Sequence, residues 1–282
     1  TGNGHLLRRQ GAKEAATGEY NATGGQTGVV MRHAIVTGAG TGIGRAAALR
    51  FAQDGFAMSL LGRRPERLLD TRTQITQAGG AAHVFPVDVT DAAAVSSAVE
   101  RACADLGPVF ALVNNAGANG RGTVAEGDHV LFDRVVRTNL TGPFVVSAAV
   151  LPHMEDGGRI LLVGSILSKM GVPGYSAYAA SKHGLVGLTR CMALECAPRR
   201  ITVNCICPGW TATEMAQQGI SETARSMGIT PEAFWEEARR AVPLGRMSTP
   251  DEIAGLMAYL ISAAAANLTG QTLFYDGGAF LN

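Results

Sequence analysis

The sequence predicts an α/β fold, a doubly wound parallel sheet with helices on both faces. Three observations carry that prediction. Short apolar runs recur along the chain, and several are followed by a stretch of helix-forming pattern. A glycine-rich turn joins the first of these runs directly to a helix. Hydrophobic residues make up 46% of the 282, enough for one large core.

Composition excludes several partners. The formal net charge is +1, which gives no electrostatic footprint for nucleic acid or a membrane surface. No stretch of about eighteen apolar residues exists to make a transmembrane helix. The cysteines, Cys103, Cys191, Cys196, Cys205 and Cys207, are odd in number and lack paired metal-ligand spacing. They read as reduced thiols in a cytoplasm, with no metal site. Cys205 and Cys207 alternate within a strand-like run and read as two small buried residues sharing a face. Residues 1–30 are polar and rich in Gly and Thr, without apolar periodicity, and Arg8 and Arg9 are not followed by a signal-peptide core. This segment is expected to be a disordered extension or an added leader, with Met31 as a candidate start. Residues 31–282 are expected to form one domain.

His33 to Thr37 is apolar enough for a buried first strand. Gly38-Ala-Gly-Thr41-Gly42-Ile43-Gly44 follows at once and leads into a good helix former, Arg45-Ala-Ala-Ala-Leu. Strand, glycine turn and helix form the setting in which missing side chains let a pyrophosphate approach backbone N–H groups at a helix N-terminus. The second strand, from Ala57 to Leu61, ends in Gly62-Arg63-Arg64. An NAD site places a carboxylate there to bond the ribose 2′-hydroxyl. Guanidinium groups instead suit a 2′-phosphate, so Arg63 and Arg64 favour NADP(H) over NAD(H). The alternative is that both arginines solvate a loop and NAD still binds. The third strand, from Ala82 to Val87, ends at Asp88-Val89, where Asp88 could bond an adenine amino group. Thr90 or Asp91 then caps a helix to about Asp105. The fourth strand, Phe110 to Val113, runs into Asn114-Asn115-Ala116-Gly117.

Asn139 falls inside a helix predicted to run to about Met154, although Asn is a poor helix-interior residue. The fifth strand, Arg159 to Gly164, delivers Ser165 at its carboxyl end, the edge where open α/β sheets bind ligands. A helix from about Tyr175 to Ala197 carries Tyr178 and Lys182 one turn apart on one face. A neighbouring ammonium favours the phenolate, so the phenol is expected to titrate below its reference value near 10 and to exchange a proton with a carbonyl oxygen. Tyr175 has Ala179 four residues on and so lacks a lysine partner. Ile201 to Cys207 is the sixth strand, followed by Pro208-Gly209-Trp210-Thr211, and Gln271 to Tyr275 is the seventh.

Thr37-Gly38-x-x-x-Gly42-Ile43-Gly44, Asn114-Asn115-Ala116-Gly117, Ser165, Tyr178-x-x-x-Lys182 and Pro208-Gly209 together resemble the short-chain dehydrogenase/reductases, over residues 31–282. The resemblance implies a single Rossmann-type domain with a seven-stranded parallel sheet, assembled as a homotetramer or dimer. It implies that Tyr178 exchanges the proton, that Ser165 donates to the same substrate oxygen, and that Lys182 also bonds the nicotinamide ribose. It further implies that Asn139 shapes a helix kink and holds a relay water, and that Thr213 meets the nicotinamide carboxamide or the phosphates. The turn glycines, Thr41, Ile43, Arg63, Arg64, Asp88, Val89, Asn115, Ala116, Gly117, Pro208, Gly209 and Thr211 would complete the cofactor site. The activity implied is NADPH-dependent reduction of a ketone to a secondary alcohol. Oxidation of a hydroxyacyl thioester, diol or cyclic alcohol is the alternative.

The wording between Thr211 and Arg246 is most similar to the 3-ketoacyl and aromatic polyketide ketoreductases. Its Gly, Met and aromatic residues suggest a mobile lid over an apolar substrate. Trp210, Met215 and Trp235, with Ile166, Met170 and Tyr175, are expected to line the pocket; ordinary core packing is the alternative. One departure stands out. Where the polyketide enzymes carry a Pro-Gly-Gly segment, this chain reads Asn119-Gly120-Arg121. Arg121, Arg239 and Arg240 could meet a carrier-protein or coenzyme A phosphate, or merely solvate the surface.

Overall fold

The computed structural model describes residues 31–280; the expectation for residues 1–30 lies outside them. The strands are β1 (His33–Thr37), β2 (Ala57–Gly62), β3 (Ala82–Pro86), β4 (Val109–Asn114), β5 (Met154–Val163), β6 (Thr202–Pro208) and β7 (Thr272–Tyr275). They form one seven-stranded sheet in the order β3-β2-β1-β4-β5-β6-β7, with every neighbouring pair parallel. Strands β1, β2, β4 and β6 are almost entirely buried, as continuous apolar runs in a parallel sheet must be. The order reverses direction between β1 and β4, which opens a crevice at their carboxyl ends.

Helices cover both faces. Helices α1 (Gly42–Gln53), α2 (Pro65–Gln77) and α9 (Pro250–Ile261) enclose one core layer, in which Phe51, Leu60, Leu68, Ile75 and Leu260 are fully buried or nearly so. Helices α3 (Ala92–Leu106), α5 (Gly142–Val150) and α6 (Ser176–Cys196) enclose the other around Ile35, Leu112, Ile160 and Leu185. No helix among the described residues is long and apolar enough to cross a membrane.

Two expectations need correction, and a third segment gains detail. The helix around Asn139 is interrupted: α4 (His129–Val136) passes through a π-helical turn, Arg137–Thr141, into α5, which ends at Val150. Strand β5 starts at Met154, five residues earlier than expected. Its first half, Met-Glu-Asp-Gly-Gly, lacks the apolar signal but still pairs with the start of β4 through a register shift between Val109 and Ala111. The segment between Thr211 and Arg246 is two helices, α7 (Glu214–Met227) and α8 (Pro231–Arg240), each capped by a threonine, Thr213 and Thr230. Cys205 and Cys207 are fully buried as expected, with sulfurs 3.7 Å apart, and all five cysteines are free.

Candidate active site

The glycine turn is built around an uncapped helix end. Thr41 is the N-cap of α1, yet its side chain caps nothing and instead accepts from Arg64 Nη2 at 3.3 Å. The first amides of α1 thus lack a side-chain partner and favour an anion through their N–H groups and the helix dipole. Gly42 adopts φ +54, and a Cβ there would lie 3.1 Å from the Thr213 methyl, so its absence preserves the gap between the turn and α7. Thr37 then locks the turn to the end of β4. Its hydroxyl accepts from the Asn115 and Ala116 N–H groups, both at 3.0 Å, and Asn115 Nδ2 donates to the Thr37 and Gly38 carbonyls at 3.0 and 3.3 Å. These residues fit a dinucleotide pyrophosphate: open amides, a positive helix end and a cleft kept free of Cβ atoms.

The adenosine end of this cleft is charged. Arg63 Nη1 lies 3.7 Å from Asp88 Oδ2. Partial desolvation would raise the Asp88 pKa, but hydrogen bonds from the Thr90 N–H and hydroxyl, with Arg63 nearby, outweigh it and hold Asp88 below the ordinary carboxylate value. Arg64 and Arg67 reach Glu214 at 4.0 and 3.6 Å, so the start of α7 bridges to the arginines beside the turn. Val89 turns its side chain into the core against Gly142 rather than outward.

Ser165, Tyr178, Lys182 and Asn139 converge at the carboxyl edge of β4 and β5. Ser165 caps the short turn after β5, accepting from the Leu167 N–H at 3.2 Å while its own N–H donates to Ser168 Oγ at 3.1 Å. Its hydroxyl also lies near the Tyr178 hydroxyl and favours the phenolate there. Lys182 is buried, donates from Nζ to the Val163 carbonyl at 2.7 Å and lies 5.5 Å from the centre of the Tyr178 ring. The π turn delivers Asn139 into the interior, where Oδ1 accepts from the Ala118 N–H at 2.7 Å and Nδ2 donates to the Ala118 carbonyl and Ser181 Oγ at 3.0 and 3.1 Å. Gly117 bridges the two groups: a Cβ there would sit 3.4 Å from Asn139 Oδ1 and 4.0 Å from Lys182 Nζ.

The electrostatics differ from the expectation. Desolvation pushes the Tyr178 phenol up to about 12, with the Ser165 hydrogen bond only partly opposing it. Desolvation also pulls Lys182 down to about 8. The ammonium donates to the Val163 carbonyl and lies over the ring, and burial of the hydroxyl is the dominant effect on its pKa.

Around this centre the expected pocket residues divide. Ile166 and Met170 are half-buried in the segment after β5. Tyr175 stands edge-on to Tyr178 at 6.4 Å and hydrogen-bonds Thr223 of α7 at 2.9 Å. Trp210 packs edge-on against both Phe234 and Trp235, at 6.0 and 6.1 Å, so this aromatic cluster ties α8 to the segment after β6. Met215 is exposed. Thr211 and Thr213 commit their hydroxyls locally: Thr211 donates to the Gly209 carbonyl at 3.3 Å, and Thr213 Oγ1 accepts from the Ala216 N–H at 3.2 Å as the α7 cap. A Cβ on Gly209 would lie 2.8 Å from Asp276 Cβ, which explains glycine beside Pro208 there. Sequence reasoning did not single out Ser181, which holds Asn139, or Glu214; neither lies in a pattern that marks a partner. Thr37 was legible as a motif residue, but not as the clamp on β4.

The chain is similar to several known proteins. Residues 32–224 match the short chain dehydrogenase family model. A Streptomyces virginiae protein named for the ketoacyl reductase of the monensin polyketide synthase is 40% identical, covering 88% of this chain and 96% of its own. A Thermotoga maritima 3-oxoacyl-[acyl-carrier-protein] reductase is 34% identical over 86% of this chain and 96% of its own. Among solved structures, a single-site variant of actinorhodin polyketide ketoreductase crystallised with NADPH superposes with a TM-score of 0.85 at 38% identity, covering 88% of this chain and 97% of its own. The chain belongs to the short-chain dehydrogenase family of oxidoreductases.

Proposed function

We propose that this protein reduces a ketone, of the 3-ketoacyl or polyketide-like class, to a secondary alcohol, with Tyr178 as the proton donor. The observation that carries the reading is the pairing of the Ser165 and Tyr178 hydroxyls with buried Lys182 at the carboxyl edge of the sheet, beside an uncapped glycine turn that suits a pyrophosphate. NADPH, when bound, supplies the hydride. Ser165 and Tyr178 present two hydroxyls that can hold one carbonyl oxygen, and Tyr178 passes its proton as charge grows there. Lys182 lies over the phenol ring and can return a proton to it through water, which the remaining lone pair of Asn139 Oδ1 could help to hold. Arg63 and Arg64 support preference for a 2′-phosphate over a bare ribose.

The relatives named as ketoacyl and 3-oxoacyl reductases support the substrate class. A titration with NADPH and NADH against ketoacyl thioesters and cyclic ketones tests it. We expect lower KM with NADPH, and turnover of at least one ketoacyl thioester. Tyr178→Phe should lower kcat by about 10²–10⁴-fold while NADPH still binds. Retained turnover in that variant would remove Tyr178 from the reaction.

A further inference from the structure

Next to the candidate active site lies a cavity of about 500 Å³ that the family reaction does not account for. Its walls come from the segment after β4, from α4 and from α7. Three guanidinium groups reach it: Arg121, Arg134 and Arg225. Among the described residues none of the three is ion-paired to a carboxylate. Two carboxylates share the cavity. Glu126 is already committed, accepting from the Thr123 N–H at 2.8 Å in a capping box, and Glu222 is exposed. Three arginines against two glutamates leave the lining with a net charge of +1, in a concave site where it attracts anions.

Arg121 is the innermost of the three and is only half-exposed. Its guanidinium carbon lies 5.5 Å from the Tyr175 ring centre and would sit 3.2 Å from a Cβ on Gly174. Its Nη1 is 3.5 Å from Thr223 Oγ1, the same hydroxyl that binds Tyr175. These contacts fix the side chain while leaving its charge without an anion. Spacings of 5.5 and 6.4 Å through the Tyr175 ring bound its distance from the Tyr178 ring centre at about 12 Å. Such a guanidinium can bind a carboxylate or phosphate with paired donors.

We propose that this cavity is an anion subsite, so that the substrate carries a carboxylate or phosphate at a fixed remove from its carbonyl, with Arg121 as the specificity-determining residue. The proposal rests on the reading that the carbonyl reacts at Tyr178. Both oxyanions use the same donors, and the substrates tested can separate them. One pair is 7-oxooctanoate and its methyl ester. The other is acetoacetyl-pantetheine 4′-phosphate and the neutral acetoacetyl N-acetylcysteamine thioester.

We expect the wild type to show lower KM for the anionic member of at least one pair. Arg121→Gln should raise that KM at least tenfold more than it raises the KM of the neutral partner, with kcat moving less. Arg121→Lys should recover part of the loss, and exposed Arg225→Gln should give a smaller change of the same sign. The pair that responds identifies the oxyanion. Equal effects on both members of each pair would overturn the subsite. Calorimetric titration of 7-oxooctanoate and of pantetheine 4′-phosphate into wild type and Arg121→Gln, matched by melting temperature, reads the subsite without turnover. Binding of neither anion, or equal binding to both proteins, sinks the anion site; anion binding without turnover of any ketone sinks the reductase reading instead.

Discussion

Tyr178 shows how a pattern can be right about position and wrong about state. A four-residue spacing brings Lys182 under the same helix face, but the hydroxyl is desolvated and the ammonium is held by the Val163 carbonyl at 2.7 Å. Desolvation disfavours the charged form of both groups, which moves the phenol up and the amine down. In the ligand-free protein the phenolate of Tyr178 should therefore be absent below pH 10. Near-ultraviolet difference absorbance between wild type and Tyr178→Phe would reveal it, and Lys182→Gln should leave its onset nearly unmoved. A phenolate midpoint near neutrality in the free protein would contradict this.

At the level of elements, the glycine turn and α1 make one rigid unit with β4. A Cβ on Gly44 would lie 2.3 Å from Asn115 Nδ2 and 2.4 Å from the Gly38 carbonyl oxygen, and the second of these is backbone that cannot step aside. Gly44→Ala should therefore push α1 off the sheet edge at a cost of about 1–3 kcal/mol. We expect a lower melting temperature and weakened NADPH binding by fluorescence titration; a variant that melts and binds like wild type would show that the contact can relax. This unit was legible because strand, glycine turn and helix are contiguous in the chain. So were Ser165, Tyr178 and Lys182, whose spacing survives folding unchanged. The π turn at Asn139 was legible only as an unexpected polar residue, since its cause is distant: the Ala118 backbone and Ser181 satisfy the side chain. Helices α7 and α8 were hidden because Met, Gly and aromatic residues read as a lid, while the periodic face and the threonine caps that define them went unweighed. The first half of β5 was hidden because its pairing with β4, not its own composition, makes it a strand.

Across the whole molecule, the candidate site and a buried histidine strut lie at opposite edges of the sheet. The candidate site gathers at the carboxyl ends of the strands, whereas His33 stands at the amino end of the interior strand β1. Its Nδ1 bonds the Gly107 carbonyl at 2.9 Å, just before β4, and its Nε2 bonds Ser59 Oγ on β2 at 2.8 Å. Because a carbonyl only accepts, Nδ1 carries the proton, and Nε2 accepts from the serine. The side chain is fully buried, and desolvation, partly opposed by the Gly107 hydrogen bond, lowers its pKa below 6.5. The folded chain thus binds fewer protons at this site than the unfolded chain does. Its contribution to stability is complete above about pH 6.5 and is lost as pH falls from there toward the folded-state value. Melting temperature should accordingly decline between pH 7.5 and 5.5. His33→Gln, which keeps a donor and an acceptor without titrating, should flatten that decline even if it lowers the plateau. The same slope in both proteins would assign the acid sensitivity to other groups and leave His33 as a neutral strut between three interior strands.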